Sequence, residues 1–182
     1  MASAGGGVIP DRMHLEEDEL RQVAHYAASC ARRALPVFEA ARPDDPRPHD
    51  AIVAAEAFAA GKKRTAALRK AAWSAYTAAR EVEEAPAASA AHAASHAAAA
   101  AFLHPLATPH QVKHVLGAAV HQALALELDV GNDTSVGREH LGWAASFASP
   151  TVRRVLHRFP SPRRGRSRFA LLLSALDAEL RR

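Results

Sequence analysis

Alanine is the residue that most constrains the fold of this chain, because it fills 45 of the 182 positions. It has the highest intrinsic helix propensity, and it loses no side-chain entropy when a helix forms. Isoleucine, a β-branched residue that favours strands, occurs twice, and aromatic residues make up 5% of the chain. The composition therefore predicts an all-α protein, a compact single-domain bundle of about seven or eight Ala-rich helices.

Apolar residues recur at intervals of three and four, which is the spacing of a helix face. The predicted helices cover residues 16–38, 48–60, 65–82, 86–103, 109–128, 136–147, 150–159 and 168–180. Gly61 is expected just beyond the second helix, as a C′ residue. Thr108 is predicted to cap the fifth helix, with Gln111 closing a capping box. Ser149, followed by Pro150, is expected to cap the seventh.

The length favours one domain, which we place at residues 15–182, after a disordered tail at residues 1–14. No apolar run is long enough to span a membrane, and the start MASAGGGVIPDRM lacks the features of a signal peptide. We therefore expect a cytoplasmic protein without membrane partners. The single cysteine, Cys30, lies among apolar helical residues and is expected to be a buried packing thiol.

Histidines at helical spacing mark the candidate cleft or ligand site. His92 and His96 lie four residues apart on the fourth predicted helix, and His114 and His121 lie seven apart on the fifth. Each pair falls on one face of its helix. If the two helices were antiparallel, the pairs could approach each other and bind a small molecule, or serve an enzyme of a biosynthetic or resistance pathway.

A metal site or a familiar catalytic motif has less support in the sequence. Facing His pairs could hold a metal, but no Glu-x-x-His pattern accompanies them. The chain also lacks GxSxG, HExxH, GxGxxG and the P-loop pattern. We therefore expect no metal and no cofactor, and the sequence leaves open whether the protein catalyses any reaction.

Arginines are concentrated in the C-terminal segment, residues 150–182, which holds nine of them against two acidic residues. Seven form the candidate partner-binding set: Arg153, Arg154, Arg158, Arg163, Arg164, Arg166 and Arg168. Such a cluster could dock on an acidic protein, or it could neutralise nucleic-acid phosphates. No base-reading motif accompanies it, so a nucleic-acid partner ranks behind a protein partner.

The segment Cys30 to Lys62 carries a distinctive turn. A helix that ends in LPVFE leads into PDDPRP and an Ala-rich helix that begins with Ala51 and Ile52. This segment resembles the Imm-five-like family of immunity proteins of actinobacteria. The similarity extends to His96, to HVLGAA at His114 to Ala119, and, in longer members of that family, to PTVRRVLHRFP near the C-terminus.

This resemblance implies an α-helical cytoplasmic protein that protects a cell from a toxin. Immunity proteins act by binding, so the resemblance implies a toxin as the protein partner and requires no reaction. Complementary charge would accelerate such binding, and the arginine cluster could supply it.

Overall fold

The computed structural model describes residues 12–182, and helices dominate this part of the chain. Its eight α-helices are α1 (Glu17–Ala41), α2 (Arg47–Ala59), α3 (Ala66–Glu81), α4 (Ala85–Ala99), α5 (Gln111–Asp129), α6 (Thr134–Phe147), α7 (Pro150–His157) and α8 (Arg168–Leu180). A 3₁₀ turn, Ala100–Phe102, extends α4. The prediction of an all-α bundle of seven or eight helices is confirmed.

Helix α5 lies at the centre of the bundle. It packs against α1, α4, α6, α7 and α8, and apolar residues on opposite sides of it, such as Leu116 and Ala125, are fully buried. A helix buried on more than one side needs apolar residues around most of its circumference, and the sequence of α5 supplies them.

Small side chains let α4 approach its neighbours closely. Eight residues of α4 are buried, and seven of them are alanine. The helix packs on α1, α3 and α5. The two helices are antiparallel, because His92 lies beside His121, whereas His96, one turn further along α4, also contacts His114, which precedes His121 on α5. This arrangement brings their histidine faces together.

Two helix ends follow the predicted local signals, whereas the start of α5 does not. Gly61 adopts a φ of +102°, which glycine tolerates, and the Ser149 hydroxyl accepts a hydrogen bond from the Val152 amide. The predicted Thr108 cap is wrong, because α5 begins two residues later than expected. The Gln111 side chain does not close a capping box. Its Oε1 accepts a hydrogen bond from the backbone amide of His104, 3.2 Å away.

Residues 1–11 of the predicted disordered tail lie outside the described residues, but the next three contact the bundle. The Met13 amide donates a hydrogen bond to the Pro105 carbonyl at 2.9 Å, and Arg12 forms an isolated bridge with Leu106. Cys30 is fully buried, as predicted, and burial raises the pKa of its thiol. None of the described helices is both long and apolar enough to cross a membrane.

Candidate functional site: a histidine-lined cleft

A cleft of about 1190 Å³ opens between α3, α4 and α5 and is bordered by α8. All four histidines of the candidate ligand site line it: His92, His96, His114 and His121. Two more, His104 and His110, belong to the connection between α4 and α5 and line the same space. The structure therefore unites residues that the sequence separates by up to 29 positions.

The imidazole rings pack on one another along the cleft. His121 lies between His92 and His96, with ring centroids 5.0 and 5.3 Å apart and interplanar angles of 30° and 24°. His114 meets His96 edge-on at 6.4 Å. On the far side, the Phe169 ring of α8 lies 4.7 Å from His121. The histidines thus form a continuous aromatic surface.

This stacking differs from the geometry of a metal site, in which ring nitrogens converge on one point. Within residues 12–182, no group of three or more His, Cys, Asp or Glu side chains is arranged to hold a metal ion. The Nδ1 atoms of His114 and His121 are buried and have no hydrogen-bond partner among the described residues. Each of these rings therefore has an unused capacity to accept or donate a hydrogen bond.

Gly117 explains how His96 fits against α5. A β-carbon at this position would lie 2.7 Å from Nδ1 of His96 and 2.8 Å from its Cγ and Cε1. These separations are shorter than van der Waals contact, so the absence of a side chain at Gly117 makes room for the imidazole. The ring of His96 is thus seated directly on the backbone of the central helix.

Burial favours the neutral form of the four histidines that α4 and α5 contribute to the cleft. Desolvation lowers the pKa of His96 to about 3, with a further contribution from the neighbouring His114. Desolvation also holds the pKa of His121 well below its ordinary value and lowers that of His92 and His114. Neutral imidazoles can both donate and accept hydrogen bonds, whereas imidazolium can only donate.

Acidification should destabilise the fold through these rings. In the unfolded chain, His96 and His121 take up protons below a pH of about 6.5, whereas in the folded chain they do so only at much lower pH. The free energy of unfolding therefore keeps its full value above about pH 6.5 and decreases as the pH falls below about 6.5. Each pKa unit corresponds to at most ~1.4 kcal/mol for each ring, and both rings keep some solvent contact. We expect a loss of about 2 kcal/mol in total between about pH 7 and pH 5, measured by urea unfolding.

The double variant His96→Gln/His121→Gln serves as the control for this pH dependence. It removes both titrating rings and retains polar side chains, so its unfolding free energy should fall less between the two pH values than that of the wild type. Equal falls in the two proteins would show that other groups cause the effect.

Cationic side chains surround the mouth of the cleft. Arg64, Arg69 and Lys113 line it and are exposed. The Arg69 guanidinium lies 4.5 Å from the centroid of the Phe102 ring, which is cation–π distance. Arg64 is fixed by a 3.0 Å hydrogen bond from its Nη1 to the Ala101 carbonyl. Trp73 and Tyr76 of α3 complete the rim and pack edge-to-face.

The predicted arginine cluster divides into two groups in the structure. Arg158 forms a two-pronged pair with Glu19 at 2.7 and 2.5 Å, and Arg168 forms one with Glu127 at 2.7 and 2.6 Å. Arg153 donates to the backbone carbonyls of residues 145 and 180. These three arginines therefore tie the C-terminal segment to the bundle. The remaining four are exposed: Arg154, Arg163, Arg164 and Arg166.

Sequence reasoning identified the histidines of the cleft but missed four other residues that line it. Arg64 comes from the segment just before α3, Arg69 from the start of α3, Phe102 from the 3₁₀ turn, and Phe169 from α8. Phe169 belongs to an apolar helix face that predicts only burial. The one sequence signal that could have drawn attention to Arg64 and Arg69 is their position near the start of a helix. The helix dipole disfavours cations there, so arginines at these positions indicate a role other than stabilising the helix.

Comparison with known proteins gives one match. The family described as "Imm-5 like putative immunity protein" matches residues 13–146, which include α1 to α5, all but the last residue of α6, and most of the cleft. Helices α7 and α8, with Phe169, lie beyond the matched region. No curated protein and no solved structure matches. Because the match spans well over half of the chain, this protein belongs to the Imm-5-like family of immunity proteins.

Proposed function

We propose that this protein neutralises a toxin by binding it, without catalysing a reaction. Membership of the immunity family is the observation that carries the proposal. An immunity protein needs a surface that recognises its partner quickly and selectively, and complementary charge provides both properties.

The exposed arginines supply the contact surface in this proposal. Arg163, Arg164 and Arg166 lie on the linker between α7 and α8, and Arg154 lies on the exposed side of α7. No Asp or Glu occurs between residues 150 and 176, so this stretch of the sequence, which includes the linker, carries only positive formal charges. Such a surface favours an acidic face on the toxin and accelerates the encounter at low ionic strength.

Charge reversal on the linker should slow association with the toxin. For the triple variant Arg163→Glu/Arg164→Glu/Arg166→Glu we expect an association rate constant lower by about 10–100-fold at low salt, with the difference shrinking as salt is added. The measurement is surface plasmon resonance against the purified toxin over a series of salt concentrations. Protection of toxin-producing cells by each variant gives a second readout.

A control with the same change in net charge is available elsewhere on the surface. Lys62, Lys63 and Lys70 are exposed near the start of α3, and reversing all three should affect association much less than reversing the linker arginines. If both triple variants slow association equally, the effect reflects net charge and the linker is not the contact surface. If the wild-type chain neither binds the toxin nor protects cells, the proposed neutralisation is wrong.

A second candidate function is the binding of a small molecule in the histidine-lined cleft. The observation in its favour is a preformed cavity of about 1190 Å³, slightly above the usual range of about 300–1,000 Å³ for ligand sites, that contains imidazole nitrogens without hydrogen-bond partners among the described residues. Replacing His92, His96, His114 and His121 together with glutamine should abolish ligand retention. Unchanged retention in this variant would remove the cleft histidines from that function.

A further inference from the structure

We infer that the cleft accepts a small organic anion with a flat apolar body, which places its acidic group at the cationic rim and its flat part against the aromatic walls. This inference rests on the second candidate function, small-molecule binding in the cleft, and specifies the chemical class of that ligand. It is independent of whether a toxin binds the linker arginines.

The charges that line the cleft have a single sign. Three cations, Arg64, Arg69 and Lys113, contribute to the lining, and no Asp or Glu does so among the described residues. The three cations lie on different elements, the segment before α3, α3 itself and α5, and all of them line the same cleft. A cation entering the cleft would be repelled by this rim, whereas an anion would be attracted to it.

Two of the three rim cations, Arg64 and Arg69, are held in position by features of the cleft. Arg64 is anchored to the Ala101 carbonyl, and both Arg64 and Arg69 lie over the Phe102 ring, at 5.8 and 4.5 Å from its centroid. An arginine that rests on an aromatic face loses less side-chain entropy when a ligand binds, and its planar guanidinium suits the two oxygens of a carboxylate or a phosphate.

Flat surfaces line the cleft on three sides. Tyr76 packs on His92 at 5.5 Å, His92 stacks on His121, and Phe169 lies against His121 from α8. Planar ligand groups gain favourable stacking and dispersion contacts on such surfaces. The unpartnered Nδ1 atoms of His114 and His121 add hydrogen-bonding capacity in the same part of the cleft. The cleft therefore combines an apolar stacking surface with an anion-attracting mouth.

Four related probes test this inference by isothermal titration calorimetry on the full chain. Naphthoate and naphthyl phosphate carry the two acidic groups, naphthamide is the neutral counterpart, and naphthylmethylammonium is the cation. We expect at least one of the acids to bind at least about tenfold more tightly than the amide, and the ammonium to bind most weakly. The acid that binds more tightly identifies the acidic group that the rim prefers.

Rim variants locate the effect. Arg69→Gln/Lys113→Gln should raise the Kd of the acid probes by about tenfold, as expected for losing hydrogen bonds to a charged group, and should leave the Kd of naphthamide unchanged. The matched control, Lys62→Gln/Lys70→Gln, removes two cations from outside the cleft and should change neither value.

Two results would overturn the inference in distinguishable ways. If naphthamide binds as tightly as both acids, the cleft is a small-molecule site without anion preference, and the second candidate function survives. If none of the four probes binds at millimolar concentration, both the inference and that candidate function are wrong, whereas toxin neutralisation is unaffected.

Discussion

Replacing Arg168 with alanine should lower the free energy of unfolding by about 3 kcal/mol, because it leaves a buried carboxylate without its counter-charge. The Glu127 side chain is 4% exposed, and Arg168 holds both of its oxygens. The pair also raises the pKa of the Arg168 guanidinium, since the charged form is favoured beside Glu127. Gly137 gives the carboxylate its space, because a β-carbon there would lie 2.0 Å from Oε2 of Glu127.

The loss of the pair between Arg168 and Glu127 should also affect the histidine-lined cleft. Arg168 is the first residue of α8, and Phe169, which packs on His121, follows it directly. Loosening the start of α8 should therefore weaken the binding of an aromatic probe as well as the stability. Urea unfolding measures the loss of stability, and calorimetry with naphthoate measures the loss of binding.

An exposed pair at the C-terminus provides the control. Arg182 and Glu179 have side chains that are 77% and 50% exposed, so Arg182→Ala should cost no more than about 0.5 kcal/mol. If Arg168→Ala is equally mild, Glu127 does not depend on its counter-charge and α8 is held by its leucines alone.

Replacing Gly117 with leucine should destabilise the protein by about 1–3 kcal/mol and disturb the cleft at the same time. Any side chain at this position overlaps the His96 ring, which would have to move away from the backbone of α5. His96 stacks on His121, so its displacement should also disrupt the aromatic wall. The free energy of unfolding and the affinity for naphthoate should therefore fall together.

Gly142 of α6 is the matched control, because a β-carbon there meets no atom within 4 Å. Gly142→Ala should stabilise the protein by roughly 0.5–1 kcal/mol through improved helix propensity. A neutral Gly117→Leu would contradict the close contact between His96 and the central helix, and with it the described shape of the cleft.

Helix content and the position of α5 could be predicted because they follow from local patterns. Alanine content, apolar spacing and the positions of prolines are read directly from the sequence. Apolar residues on both sides of α5 indicate that this helix is central. The start of α5 was mispredicted because a tertiary contact decides it. Gln111, expected to bond within its own turn, bonds instead to the backbone of His104.

The candidate site could be predicted only where residues share a helix face. The histidine pairs of α4 and α5 are visible as i,i+4 and i,i+7 spacings, but the antiparallel packing that unites them is not. Glu127 lies off the histidine face, and nothing in its local sequence reveals that Arg168, 41 residues later, will bind it. The same holds for Phe169, because long-range packing of α8 decides which of its apolar residues enters the cleft.

Native mass spectrometry of the untagged protein, purified from host cells that also produce its toxin, tests the proposed neutralisation most directly. The account predicts a stoichiometric complex with a second polypeptide that dissociates as the salt concentration of the purification rises. A chain that carries only a small molecule, or nothing at all, under these conditions would contradict neutralisation by binding. A chain that carries only a small molecule would instead favour the cleft as the functional site.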